Sequence, residues 1–383
     1  MQDLKPMDAV AALFSNDHQE LSEAIVASLS RTIFNGGEMR PAGWVQRILG
    51  RVSYRILQRT TTSGKGKDAR GSEVTIFSNR ILECSGHPYA KLLLGSSKSE
   101  TASLVEGGDP MSGNYIMIAP EIRRNGGLWD RLLLDSVQGK DVRLRMALET
   151  RATYESARRW LERGEPVRLK AVAAGTGLSM ILVYDRLIRD GYKPDLITAT
   201  ITDKEEANID KANRLLDKLA TTRERKCNLG RGYGISAKTE DIFAGNGKEG
   251  TADTGRYDVV TAIGILEYFH GFSYGTTEQR LKLESPVESL TAQNLAMRLC
   301  EMTADHGSLI VNTYRDDASA RILEVFGRKF DYRNRENLRS LLASVNFRPA
   351  GLVGSGNIYD VEVYEKHPLT LDGHASGVTR GRA

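Results

Sequence analysis

Residues 169–177 read L-K-A-V-A-A-G-T-G, and Leu178, Ile181, Leu182, Leu187 and Ile188 follow at helical spacing through Arg189. Leu169–Ala174 is a short apolar run of the kind that forms a buried parallel strand. Gly175-Thr176-Gly177 then makes a tight turn, in which glycine lets a ligand approach where a Cβ would block it. A strand, a glycine turn and a helix start together offer backbone N–H groups and the positive end of a helix dipole. The same turn also joins strands to helices that bind nothing, so its meaning depends on the residues at the ends of the other strands.

Outward from this stretch, Val167 onward alternates strand and helix. Leu196–Ile201 reads as a strand and Glu205–Leu219 as a helix with an acidic first turn. Gly234–Ala237 is a short strand, Tyr257–Ile265 a strongly buried one, and Val287–Thr303 a helix. Gly307–Asn312 is a further strand, Glu336–Val345 a helix, and Gly354–Tyr364 a terminal hairpin partner. This alternation implies an α/β fold with a Rossmann-like, doubly wound, mostly parallel sheet. Ligands bind such sheets at the carboxyl ends of the strands.

Before Val167 the chain reads as mainly helical. Leu13, Leu21, Ile25, Val26 and Leu29 share one face, Asn35-Gly36-Gly37 interrupts it, and Trp44, Val45, Ile48 and Leu49 restart an apolar face. Thr60–Gly71 is polar and glycine-rich and reads as a loop; it lacks the spacing of a phosphate-binding loop. Val74–Cys84 reads as ordered, and Asp141–Leu161 as a long helix stopped by Gly164 and Pro166. We therefore expect an N-terminal, mainly helical cap over 1–140, a ligand-binding domain over 141–366 and a disordered tail over 367–383.

Composition bounds the function. The 383 residues carry a net charge of only +4, which gives no reason to expect nucleic acid as a partner. Three widely spaced cysteines make no disulfide framework or zinc cluster, and the six histidines show no metal-ligand spacing, so no metal is expected. No secretion signal is read at the start, and no stretch approaches the length of a membrane span, so no membrane partner and a cytoplasmic location are expected.

The loops after the strands hold the candidate site. Ala174, Gly175 and Gly177 follow the first strand. Asp203 follows the second, where a carboxylate can accept both hydroxyls of a ribose. Asp241 and Ile242 follow the third, a carboxylate beside an apolar side chain suited to an adenine edge and face. Gly264, Glu267, Tyr268 and His270 follow the fourth.

This order resembles the class I S-adenosylmethionine-dependent methyltransferases, over roughly Val167 to Tyr364. The resemblance implies S-adenosylmethionine as cofactor and an antiparallel last strand. Nicotinamide-binding enzymes fit less well, because G-x-G-x-x-G would need glycine where Met180 stands. Two departures stand out: Ala173 replaces the acid usual two places before the first glycine, and Ile201 stands where the ribose carboxylate is usual. Either Asp203 bends back from beyond that strand or the ribose is held differently.

His87-Pro88-Tyr89, Pro110–Tyr115 and Val142-Arg143-Leu144-Arg145 are similar in order to segments of a bacterial subgroup with an N-terminal helical cap, thought to make fatty-acid methyl esters. That likeness implies a lid in which Arg143 or Arg145 pairs with the methionine carboxylate. It also places Asn114 and Tyr115 near the sulfonium, where an aromatic face attracts a cation. Glu267 and Tyr268 would line the acceptor pocket, and His270 would act as base. A small-molecule acceptor is implied; a carboxylate would need no base at all. Two alternatives remain: a cyclase that attacks the γ-carbon of the methionine arm, releasing methylthioadenosine, and a binding protein without catalysis. A homodimer through the helical region is a further expectation.

Overall fold

β-Branched and apolar residues dominate the runs that pair most deeply, and they build one sheet. The computed structural model describes residues 23–35, 40–67, 73–85, 132, 134–227, 234–242, 256–269, 291–326 and 330–368. The strands are β3 (Val167–Ala171), β4 (Ile197–Asp203), β5 (Ile235–Thr239), β6 (Tyr257–Ala262), β7 (Thr303–Asn312), β8 (Phe347–Ser355) and β9 (Asp360–Lys366). They lie in the order β5-β4-β3-β6-β7-β9-β8. The first five are parallel, while β9 inserts antiparallel between β7 and β8. This is the methyltransferase-type arrangement of the Rossmann-like fold, with the expected antiparallel strand.

Helices cover both faces. α4 (Val137–Leu161), α5 (Leu178–Arg189) and α6 (Glu206–Cys227) pack on the side holding Leu169, Ile201 and Val259. α7 (Ala292–Met302) and α8 (Arg335–Ala343) pack on the side holding Val260, Leu309 and Tyr364. Side-chain caps start several of them: Ser136 accepts Gly139 N–H at 3.0 Å, Thr291 accepts Asn294 N–H at 3.1 Å and Asn334 accepts Asn337 N–H at 2.8 Å. α4 begins four residues before the expected start, so the boundary drawn at 140/141 falls inside it.

Preceding these lie α1 (Glu23–Phe34), α2 (Trp44–Thr60), the antiparallel pair β1 (Thr61–Lys67) and β2 (Glu73–Asn79), and α3 (Arg80–Ser85). The hairpin corrects one expectation, since Thr60–Gly71 reads as a loop and Thr61–Lys67 is a strand; helix still outweighs strand among the described residues ahead of α4. The hairpin's open end is clamped by Asn79, fully buried, whose amide donates to the hydroxyls of Thr60 at 2.9 Å and Thr61 at 2.8 Å. The same side chain accepts the N–H groups of Ile81 and Leu82 and so caps α3. β1 (T-T-S-G-K-G-K) has no apolar residue, so periodicity passes over it, whereas β2 carries Val74, Ile76 and Phe77. Among the described residues no helix is long and apolar enough to cross a membrane.

Candidate cofactor site

The site lies along the carboxyl edge of the parallel strands. β3 hands over to the glycine turn through Val172 N–H to Thr261 O (2.9 Å) and Ala174 N–H to Thr202 O (3.0 Å), one bond to each neighbouring strand. Ala173 (φ 49°), Gly175 (φ 57°) and Gly177 (φ 64°) are all left-handed, three such residues within five. Gly177 N–H closes on Ala174 O at 2.9 Å, and Gly177 O accepts Ile181 N–H at 3.0 Å as the first bond of α5. A Cβ on Gly177 would come within 2.5 Å of the Ile201 side chain. The turn therefore presses on β4 itself.

Asp203 stands at the end of β4 rather than beyond it. β4 runs two residues further than the apolar pattern predicts and ends on Asp203, so no bend back is needed. One carboxylate oxygen accepts Gly175 N–H at 2.8 Å; the other accepts Glu205 N–H at 2.9 Å and the Asn208 amide at 3.2 Å. A carboxylate has about four lone-pair positions, so three donors leave it capacity for a hydroxyl. Glu240 N–H donates to Asp203 O at 2.9 Å, bringing Asp241 and Ile242 to the same edge. Glu240 gives its own carboxylate to the buried Lys170 at 2.6 Å and to Lys238 at 3.4 Å. Asp241 is exposed, and Ile242 packs against the cluster holding Val172 and Ala262.

On the other side, Gly264 (φ 74°) donates its N–H to Asn312 Oδ1 at 2.7 Å. Arg145 of α4 reaches over it, with Nη1 3.2 Å from where a Cβ would stand. The Arg145 guanidinium lies 4.5 Å above the Tyr359 ring and 3.7 Å from Glu267 Oε1. Arg143 points elsewhere and donates to Leu134 O at 2.8 Å, so of the two candidate arginines only Arg145 enters the site. Among the described residues, Arg145 Nε and Glu267 Oε2 are buried without a hydrogen-bond partner.

One turn along α4 stands Glu149, which accepts the Ser179 hydroxyl at 2.8 Å at the start of α5. Burial pushes its carboxyl up to about 7, against the pull of Ser179, Arg145 and Thr261. Burial also raises the Glu267 carboxyl, opposed chiefly by the charge of Arg145. Two buried carboxyls thus flank one half-buried guanidinium.

Tyr268 belongs to a block of rings. It lies 5.5 Å from Phe330; Tyr314 in turn lies 4.9 Å from Phe330, 5.2 Å from Tyr332 and 5.1 Å from Tyr359. Arg333, itself buried, ties this block to the loop after β6 by donating to Leu266 O at 2.6 Å, while Asp331 N–H donates to Glu267 O at 2.8 Å.

The structure thus brings together Ala174, Gly175, Gly177, Asp203, Asp241, Ile242 and Gly264, with Arg145, Glu267 and Tyr268 beside them. Asn114, Tyr115 and His270 lie outside the described residues. Sequence reasoning missed Glu149, Asn312 and Tyr359. Only Glu149 had a signal, an acid four residues after Arg145 on a helix with an otherwise buried face.

No family model matches the chain, and neither does any curated protein. Among solved structures, the CurJ carbon methyltransferase is 14% identical with a TM-score of 0.45, covering 95% of this chain and 100% of its own. Magnesium protoporphyrin IX methyltransferase from Synechocystis PCC 6803, with bound SAH, is 14% identical with a TM-score of 0.36, covering 59% of this chain and 87% of its own. The N-methyltransferase NodS from Bradyrhizobium japonicum WM9 is 14% identical with a TM-score of 0.34, covering 58% and 97%.

Proposed function

We propose that this protein is an S-adenosylmethionine-dependent methyltransferase acting on a small-molecule acceptor, with carboxylic acids the first class to try. One observation carries the reading: the glycine turn, Asp203, Asp241 and Gly264 occupy one edge of four adjacent parallel strands, with the first two joined by a 2.8 Å hydrogen bond. The donor set suits an adenosyl sulfonium. The start of α5 would take the methionine arm, the carboxylates of Asp203 and Asp241 the hydroxyls and ring edge, and Ile242 would offer an apolar surface to the ring. The unpartnered Arg145 Nε and Glu267 Oε2 leave donor and acceptor capacity inside the site. Residues 1–140 act in this proposal as the cap and 141–366 as the cofactor domain.

When bound, S-adenosylmethionine supplies a methyl group already activated on sulfur. The chain's own contribution is then alignment and exclusion of water. Asp203 and Asp241 fix the nucleoside end, the Gly175–Gly177 turn and Arg145 fix the amino-acid end, and Tyr268 walls the acceptor side. Holding two reactants in line supplies roughly 7–11 kcal/mol of a barrier. A carboxylate acceptor is already nucleophilic and asks for no general base.

Calorimetric titration with S-adenosylhomocysteine tests the cofactor, and saturable binding is expected; no heat at millimolar ligand would end the proposal. Incubation with S-adenosylmethionine and a set of carboxylic acids then tests the reaction by mass spectrometry. S-adenosylhomocysteine formed only with an acceptor supports methyl transfer. Methylthioadenosine formed without one overturns it in favour of attack at the γ-carbon.

A further inference from the structure

α2 is a helix with one seated face and one unexplained one. Gln46, Gly50, Tyr54 and Leu57 are half-buried and turn toward the fold. A Cβ on Gly50 would run into the Ser319 hydroxyl and lie 3.5 Å from Val137, so the helix backbone sits directly against the turn after β7 and the start of α4. Ala42, just ahead of the helix, is buried and accepts the Asn357 amide at 3.2 Å. Away from this seat, Trp44, Val45, Ile48, Leu49, Val52 and Ile56 form a continuous apolar strip, each between 45% and 67% exposed. Of the ten large apolar residues that stand most exposed among the described residues, six lie on this one helix.

Charge says what covers the strip. Arg47, Arg51, Arg55 and Arg59 are spaced four apart and run along its border, and all four are exposed. From Arg40 to Lys67 the chain has seven cationic side chains and no carboxylate, although the whole chain carries only +4. The remainder is therefore net acidic, and the positive charge is concentrated here. A second copy of the same strip would bring arginines against arginines without an acid to meet them, which disfavours self-pairing. Nucleic acid would use the arginines but leave six apolar side chains facing phosphates. An anionic lipid surface uses both: the apolar side chains enter the boundary of headgroup and acyl chain, and the arginines meet the phosphates beside them.

We propose that α2 is an interfacial helix that seats the protein on membranes rich in anionic lipid. Lying along a bilayer needs neither the length nor the uniform apolarity of a span, so the lack of a spanning stretch does not bear on it. The helix is anchored through Gly50 and presents its strip as a rigid face rather than as a tail that must first order.

The test is sedimentation of the full chain with vesicles of phosphatidylcholine alone or with three parts in ten phosphatidylglycerol, at low and high salt. Binding is expected only to the anionic vesicles, and weaker at high salt. Ile48→Ser with Leu49→Ser should lower the partition coefficient at least tenfold at either salt. Arg51→Gln and Arg55→Gln should each lower it about fivefold at low salt. Equal partition to both vesicles, or variants that bind like the parent, overturns the proposal. So does a dimer in sedimentation velocity that the Ile48→Ser, Leu49→Ser pair dissolves, or tighter binding to duplex nucleic acid than to the vesicles. Titration with S-adenosylhomocysteine in parallel reads the cofactor proposal separately, since none of these residues lies in that site.

Discussion

The carboxylate of Asp203 accepts the backbone N–H of Gly175 at 2.8 Å, tying the end of one strand to the turn that leaves its neighbour. It also holds the start of α6 through Glu205 N–H, so one side chain positions two loops on the carboxyl edge of the sheet. Asp203→Asn would set an amide N–H against one of these donors in a nearly closed space. We expect S-adenosylhomocysteine binding to fall at least tenfold by calorimetry. Urea unfolding should show a loss of about 1–3 kcal/mol, the usual cost of a buried donor left without an acceptor.

Gly177→Ala carries two separable costs. At φ 64° any Cβ is strained, and this one would also meet the Ile201 side chain at 2.5 Å. A loss of about 2–4 kcal/mol in urea unfolding is expected from the two together. Adding Ile201→Ala makes room without relieving the backbone. The double variant should therefore lose less than the two single losses added, and strict additivity would show that the contact is not the cause.

Glu149 makes stability depend on pH in an unusual direction for an acid. Its carboxyl titrates at about 7 in the folded chain against 4.5 ordinarily, so the folded state holds a proton that the unfolded chain has released. The corresponding stability is present below pH 4.5 and is lost as pH rises through 7, about 3 kcal/mol across the window. Glu149→Gln should flatten the fall in unfolding free energy between pH 5 and 8. A slope remains in that variant, because Asp141 and Glu267 are raised in the same sense. An unchanged slope would remove Glu149 as its source.

Asp141 is fully buried and accepts the backbone N–H groups of Asn357 and Ile358, with the Asn357 amide at 3.3 Å. Asp141→Ala strands these donors at the turn between β8 and β9. A loss of about 2–4 kcal/mol is expected in urea unfolding. Asp141→Asn keeps one acceptor oxygen and should recover part of it.

The sheet was legible because its strands are short apolar runs followed by glycine or acid, and because the helices between them keep a 3.6-residue period. Asp203 was legible as a residue but not as a strand end, since the apolar pattern stops at Ile201 while pairing with β5 continues to Thr239. Thr61–Lys67 was not legible, because it carries no apolar residue and is joined to β2 by backbone pairing over its whole length, closed at its open end by the Asn79 amide. Arg145 could be named from its helix, but its separation from Arg143 needed the geometry of Gly264 and Tyr359. Glu149 could not be tied to the glycine turn at all, because a helix, a turn and a strand stand between it and Ser179 in the chain.

Asp141, Arg145 and Glu149 stand one turn apart on α4 and touch, in order, the C-terminal hairpin, the loop after β6 and the entry to α5. Three remote parts of the chain are thereby indexed to a single rod. A slip of that rod by one residue would rotate all three contacts out of reach together, so these three joints form as a unit or not at all.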